Sequence, residues 1–194
     1  MMNELAAMTD SQQQELLLLG SKDRVPSAIA FCALCHGQQK RNYTGELYVT
    51  HPIEVALEVS AAGGSEDMVI AALLHDVVED CGVTIEEIES RFGPVVAELV
   101  AGLTDVSQPS DGNRAARKAL DRAHLAEQCA DCQTIKLADI INNSLSIEEH
   151  DPKFAAIYMP EIRELLAVLT RGHPELLCRA RAIVDLYFER NAKH

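Results

Sequence analysis

Residues 68–80 read Met-Val-Ile-Ala-Ala-Leu-Leu-His-Asp-Val-Val-Glu-Asp. The first half is apolar almost all round, so a helix built from it must be buried. It then presents His75, Asp76, Glu79 and Asp80. At ~100° per residue, one continuous helix over 68–80 stacks His75 with Glu79 and, on the adjacent face, Asp76 with Asp80. These carboxylates repel one another, and at the end of a core helix they are costly unless a cation compensates. A divalent metal does so, with His as a nitrogen ligand and Asp as an oxygen ligand. The plain alternative is a helix end that reaches solvent with its acids hydrated.

Two further segments carry the same chemistry. One is His51-Pro52; the other is Lys136-Leu137-Ala138-Asp139, which follows the apolar Ile135. Singly, a His or Asp in such a place is an ordinary cap or a satisfied core residue. Together with His75-Asp76 they give His, His-Asp and Asp in chain order on successive helices. A four-ligand site that leaves positions open for water and substrate is what metal-assisted hydrolysis needs.

The elements that must position these residues read as helices from end to end. Residues 1–22 form a polar, Gln-rich lead, a short helix or a frayed end, ahead of a domain over 23–194. A helix opens at Pro26 and runs to about Gln39. Residues 40–50 are irregular, with a turn at Gly45. Thr50 reads as the N-cap of a helix that ends at Gly63-Gly64. Ser65 caps the segment over 68–80, with Glu66 and Asp67 at its positive end. Thr84 and Glu87 form a capping box for a short helix to about Arg91, and Gly93-Pro94 separates it from another over 95–103. A loop over 105–112 precedes helices near 113–128, 131–147, 153–171 and 174–191. The fold class is all-α: a single bundle of about eight to ten helices.

Composition bounds the partners. The chain has 194 residues and a net charge of −13, with 47% hydrophobic residues and no Trp. So acidic a surface argues against nonspecific nucleic-acid binding, which depends on neutralising phosphates. It allows an anionic small substrate where one pocket reverses the sign. No run approaches ~18 apolar residues, so no membrane span is expected. The start lacks a basic n-region, which points to the cytoplasm, where the six Cys would be reduced thiols.

The ordered motifs resemble the HD-domain phosphohydrolases, and more narrowly the hydrolase domain of RelA/SpoT-type proteins and the small alarmone hydrolases. The residues that carry the likeness are His36-Gly37-Gln38, residues 45–52 ending in His51-Pro52, and Leu73-Leu74-His75-Asp76-Val77-Val78-Glu79-Asp80. Arg91-Phe92-Gly93, residues 100–104 and Lys136-Leu137-Ala138-Asp139 with Asn143 complete it. The resemblance implies that His51, His75, Asp76 and Asp139 ligate one divalent ion, Mn²⁺. Glu79 and Asp80 become the acid/base pair that handles the attacking water. Lys40 and Arg41 contact the base or phosphates of the substrate, and Asn143 and Ser146 hold the ribose side. The implied reaction removes the 3′-pyrophosphate of (p)ppGpp, giving GDP or GTP plus pyrophosphate. The partner is thus a small nucleotide, with neither nucleic acid nor membrane.

The chain departs from the family pattern at Leu47, where Pro is usual, and at Ile140, where a basic residue is usual. The basic segment before Gly45 is also one residue longer. The last two changes fall near the nucleotide pocket, so another nucleotide (ppApp or NADPH) and a non-catalytic alarmone-binding domain stay open. Cys32/Cys35 with Cys129/Cys132 could make a four-thiolate zinc site, though buried or surface thiols on helices are the ordinary reading. Arg114, Arg117, Lys118 and Arg122 could bind phosphate at the mouth of a pocket, against an ordinary reading as a solvated helix face.

Overall fold

A core made of Leu, Ile, Val and Ala suits helix packing. In the computed structural model, which describes residues 23–42 and 44–192, the chain is helical nearly throughout. The helices are α1 (Arg24–His36), α2 (Thr50–Ala61), α3 (Glu66–Leu74), α4 (Val77–Cys81), α5 (Ile85–Phe92) and α6 (Pro94–Leu103). A 3₁₀ turn at Pro109–Asp111 leads to α7 (Arg114–Glu127), α8 (Ala130–His150), α9 (Pro152–Leu166) and α10 (Pro174–Asn191). Among the described residues there is no strand, only an isolated antiparallel bridge between Lys40 and Leu47 that closes the loop around Gly45. The lead over 1–22 lies outside the described residues.

Two helices run through the middle of a core to which the other helices also contribute. In α3, Met68 and Ile70 to Leu74 are all buried, and α1, α2 and α6 pack around it. The long α8 buries Ile135, Leu137, Ala138, Ile140 and Ile141, and packs against α2, α9 and α10. The entry of α3 is fixed as the sequence suggests. Ser65 Oγ accepts from Met68 N at 3.3 Å, and Arg24 of α1 spans Glu66 (2.9 Å), Asp67 (2.6 Å) and the Phe92 carbonyl (2.8 Å).

The structure corrects the helix expected over 68–80. It breaks at His75–Asp76, and α4 begins afresh at Val77. The cause is local. The His75 ring nitrogen Nδ1 lies 2.8 Å from the Ala72 carbonyl, the acceptor that Asp76 N would use in a continuing helix. His75 and Glu79 therefore do not share one uninterrupted helix face. Smaller corrections are of the same kind. Thr50 is the first residue of α2 and not its cap, and its hydroxyl donates to Leu47 O at 2.9 Å. Thr84 accepts from Glu87 N, but the Glu87 carboxylate takes Arg91 at 3.0 Å in place of closing the box. Helix α1 stops at His36 and α9 at Leu166, both short of the expected ends.

The α2–α3 corner sets the spacing of the two histidines, and it is tight. A Cβ at Gly64 would meet Val59 Cγ1 at 2.6 Å and the Val59 carbonyl oxygen at 2.9 Å. Backbone cannot retreat as a flexible side chain can. Gly64→Ala should cost about 1–3 kcal/mol of stability, read from urea unfolding; an unchanged midpoint would show that the corner can open.

Candidate metal centre

Four side chains from three parts of the core meet at one point. His51 lies in the first turn of α2, His75 and Asp76 occupy the break between α3 and α4, and Asp139 sits in the middle of α8. His51 Nε2 is 3.3 Å from Asp139 Oδ1 and 3.7 Å from Asp76 Oδ2; His75 Nε2 is 3.2 Å from Asp76 Oδ2 and 3.8 Å from Asp139 Oδ1. The two imidazole centroids are 5.2 Å apart. Ligand atoms of His51, His75 and Asp76 all lie within 4.8 Å of one another.

The donor set fits a divalent cation. A carbonyl can only accept, so His75 Nδ1 carries the proton toward Ala72 O and the neutral ring keeps its lone pair on Nε2. That Nε2 is buried and has no hydrogen-bond partner, while carboxylate oxygens face it. Lone pairs facing carboxylates need positive charge between them. Without a metal, a proton supplies it: burial alone would lower His75, but the charges of Asp76 and Asp139 overcome this and hold it up at about 9. Asp139 is held well below the usual carboxylate range despite its burial, because Lys136 and the two imidazoles stand beside it. Its Oδ2 accepts from Lys136 Nζ at 2.8 Å and its Oδ1 from Asn143 Nδ2 at 2.6 Å. Tyr48 donates its hydroxyl to Asp76 Oδ2 at 2.6 Å.

Glu79 and Asp80 lie on the short α4, next in chain to the break. Glu79 Oε1 accepts from Asp105 N at 2.7 Å, and Asp80 Oδ2 accepts from Gln39 Nε2 at 3.1 Å. The Glu79 carboxyl is raised above its ordinary range, chiefly by desolvation, against the Asp105 N–H bond, which lowers it. The loop that supplies this N–H is anchored to α7. Asp105 pairs with Lys118 at 2.8 Å, and buried Asp121 accepts from Val106 N (3.1 Å) and Ser107 N (2.9 Å).

A cavity of about 190 Å³ opens beside Asp139. Lys136 and Asn143 line it beside Asp139, together with Ile140 and Tyr158, with Arg114, Lys118 and Arg122 from α7, and with the acids Asp105, Asp121 and Glu161. The basic residues that read as a solvated helix face thus turn three of their number toward a cavity. Each has an acidic partner: Arg114 with Glu161 (2.7 Å), Lys118 with Asp105 (2.8 Å) and Arg122 with Glu164 (2.7 Å).

Of the residues expected to hold a nucleotide, Asn143 lines this cavity, but Lys40, Arg41 and Ser146 do not. Lys40 is exposed at the bridge to Leu47. The Arg41 guanidinium turns to Glu54 (3.3 Å) and Asn142 (3.1 Å). Ser146 Oγ is buried without a partner, further along α8. Sequence reading missed Tyr48, Asp105, Asn142 and Tyr158. Tyr48 stood inside a quoted motif, and Asn142 at an unnamed position between Asp139 and Asn143; Asp105 and Tyr158 carried no signal in type or spacing. Among the described residues no thiol joins a group of three metal-capable donors. Cys132 is buried beneath Leu99 O (3.6 Å), and exposed Cys129 caps α8.

A family model described as an HD domain matches residues 28–169. A MESH1 protein from Danio rerio, named a guanosine-3′,5′-bis(diphosphate) 3′-pyrophosphohydrolase, is 35% identical over 148 residues, which cover 74% of this chain and 81% of that protein. An Aquifex aeolicus protein with the same enzyme name is 45% identical over 86 residues, 44% of this chain; there the match spans only 12% of the relative's length. A solved structure described as a metazoan ortholog of SpoT that hydrolyses ppGpp superposes with a TM-score of 0.75 and 27% identity, covering 86% of this chain and 94% of that one. With the ordered His-Pro, His-Asp and Lys-Leu-Ala-Asp segments now seen around one point, the chain belongs to the HD-domain family, in the branch that holds the RelA/SpoT-type hydrolase domains.

Proposed function

We propose that residues 23–194 form a hydrolase domain that removes the 3′-pyrophosphate of (p)ppGpp, giving GDP or GTP plus pyrophosphate, with Mn²⁺ as its divalent ion. One observation carries the reading. His51, His75, Asp76 and Asp139 converge beside a cavity into which Arg114, Lys118 and Arg122 turn, each on an acidic partner. The names borne by the MESH1 relatives and the SpoT ortholog support the choice of substrate. The six free thiols, and the lack of any described helix long and apolar enough to cross a membrane, support a cytoplasmic setting.

When bound, a divalent ion polarises a phosphoryl oxygen and acidifies water beside it. The chain's own residues do the rest. Glu79, held by the Asp105 N–H, takes a proton from the attacking water. Asp80, fixed by the Gln39 amide, orients that water. A proton returns to the ribose 3′ oxygen as its bond to the pyrophosphate breaks. Arg114, Lys118 and Arg122 exchange their carboxylate partners for phosphate oxygens, where the arginine fork can bind in two places. Ile140 and Tyr158 offer a wall for the nucleoside.

Purified protein with Mn²⁺ should release pyrophosphate from ppGpp, while Glu79→Gln combined with Asp80→Asn should bind the nucleotide and turn it over at least about 100-fold more slowly. Release of pyrophosphate from ppApp, or of phosphate from NADPH, but nothing from ppGpp would reassign the substrate; no release from any of them would leave a binding domain.

The pH profile reads the base. Glu79 works deprotonated and its carboxyl is raised, so turnover should fall, as pH drops, at a pH above the ordinary glutamate range. An acid limb at or below that range would argue against Glu79.

Metal removal tests the ligands. With Mn²⁺ at 100 times its dissociation constant, stability should rise by about 2.7 kcal/mol over the chelated protein. His75→Ala and Asp139→Ala should abolish the gain in a thermal melt; an equal gain in either variant would remove that residue from the site.

A further inference from the structure

The two histidines are oriented by different means. His75 leans on backbone, through the Ala72 carbonyl. His51 leans on a side chain: its Nδ1 lies 2.8 Å from Asn142 Oδ1. That amide is itself held from both ends. Arg41 donates to Asn142 Oδ1 at 3.1 Å, and Asn142 Nδ2 donates to Glu54 Oε2 at 2.7 Å. Arg41 and Glu54 also meet each other at 3.3 Å.

The charges decide which way round the amide sits. A guanidinium only donates and an ionised carboxylate only accepts. The amide oxygen must therefore face Arg41 and the nitrogen must face Glu54. The same oxygen faces His51, where it can only accept, so Nδ1 bears the proton and Nε2 keeps the lone pair. Nε2 is the atom that stands 3.3 Å from Asp139 Oδ1. With the amide turned round, its nitrogen would donate to Nδ1 and push the proton onto Nε2, closing it as a ligand.

We propose that Asn142 is a positioning residue for the metal centre: clamped between Arg41 and Glu54, it selects the His51 tautomer that can bind the ion. This rests on the reading of His51 as a ligand. It also gives Arg41 a different task from nucleotide contact. The Arg41 side chain is only 9% exposed, and its donors are engaged by Glu54, Asn142 and Asn143.

The test has two readouts. The first is the His51 tautomer in metal-free protein, from long-range ¹H–¹⁵N NMR at a pH where the ring is neutral. The second is Mn²⁺ affinity by calorimetric titration. Wild type should show Nδ1 protonated. Asn142→Leu, similar in volume but without hydrogen bonds, should lose that preference and bind Mn²⁺ about 10–100-fold more weakly. Asn142→Asp, which keeps the acceptor toward His51, should restore the tautomer and most of the affinity. Should Asn142→Leu fail to fold, Glu54→Gln at a half-exposed position frees one end of the clamp and should move both readouts the same way, by less. An unchanged tautomer with Mn²⁺ affinity within about twofold in these variants would overturn the proposal. Wild-type protein that takes up no divalent ion would instead overturn the metal reading beneath it.

Discussion

Two imidazole nitrogens and two carboxylates face one another within 4 Å at the heart of this bundle, and such a set is stable only around positive charge. Much else in the structure answers to that constraint. Lys136 and Asn143 occupy the Asp139 oxygens, Tyr48 takes one of Asp76, and the Ala72 carbonyl turns the His75 ring. The last contact interrupts a core helix, a cost that a purely structural helix would have no reason to bear. The arrangement is one in which a proton and a metal ion compete for the same place.

The acidity of the chain has a counterpart here. At a net charge of −13 the protein as a whole repels polyphosphates. Local attraction must come from the α7 residues on the cavity wall, and these are neutralised by acids of α9 and the 104–108 loop. Partnered cations are ordered before any anion arrives, so little side-chain entropy remains to be lost on binding. In return, an incoming phosphate must displace carboxylates and not merely water.

How much of this could be read from the chain depends on the range of the physics. The all-α class, the Ser65 cap and the Gly63–Gly64 corner are local and were legible. So was the convergence of His51, His75, Asp76 and Asp139, because the resemblance rests on their order along the chain. The break at His75 was not legible: residues 68–80 carry no Gly or Pro, and the interruption comes from a ring nitrogen competing for a carbonyl. The surroundings of Arg41 were not legible for a related reason. The resemblance implies contact with the base or phosphates of a nucleotide, and the carboxylate and two amides that engage the guanidinium here come from distant positions. Gln133 shows the same limit. A wholly buried glutamine looks out of place on α8 until Leu125 O and Arg171 N appear at its two ends.

The interruption between α3 and α4 also divides the site by how readily its backbone opens. Asp139 is carried by a helix sunk in the core and His75 directly follows another, and the amides of both helices should exchange with solvent only when the whole bundle melts. Glu79 and Asp80 ride on a five-residue turn that ends at a left-handed Gly82 and is stitched to the loop at Asp105. That turn can fray by itself. The cluster of His75, Asp76 and Asp139 and the pair Glu79 and Asp80 are therefore separable in breathing motions, and any contact that steadies the loop at Asp105 would quiet the second without straining the first.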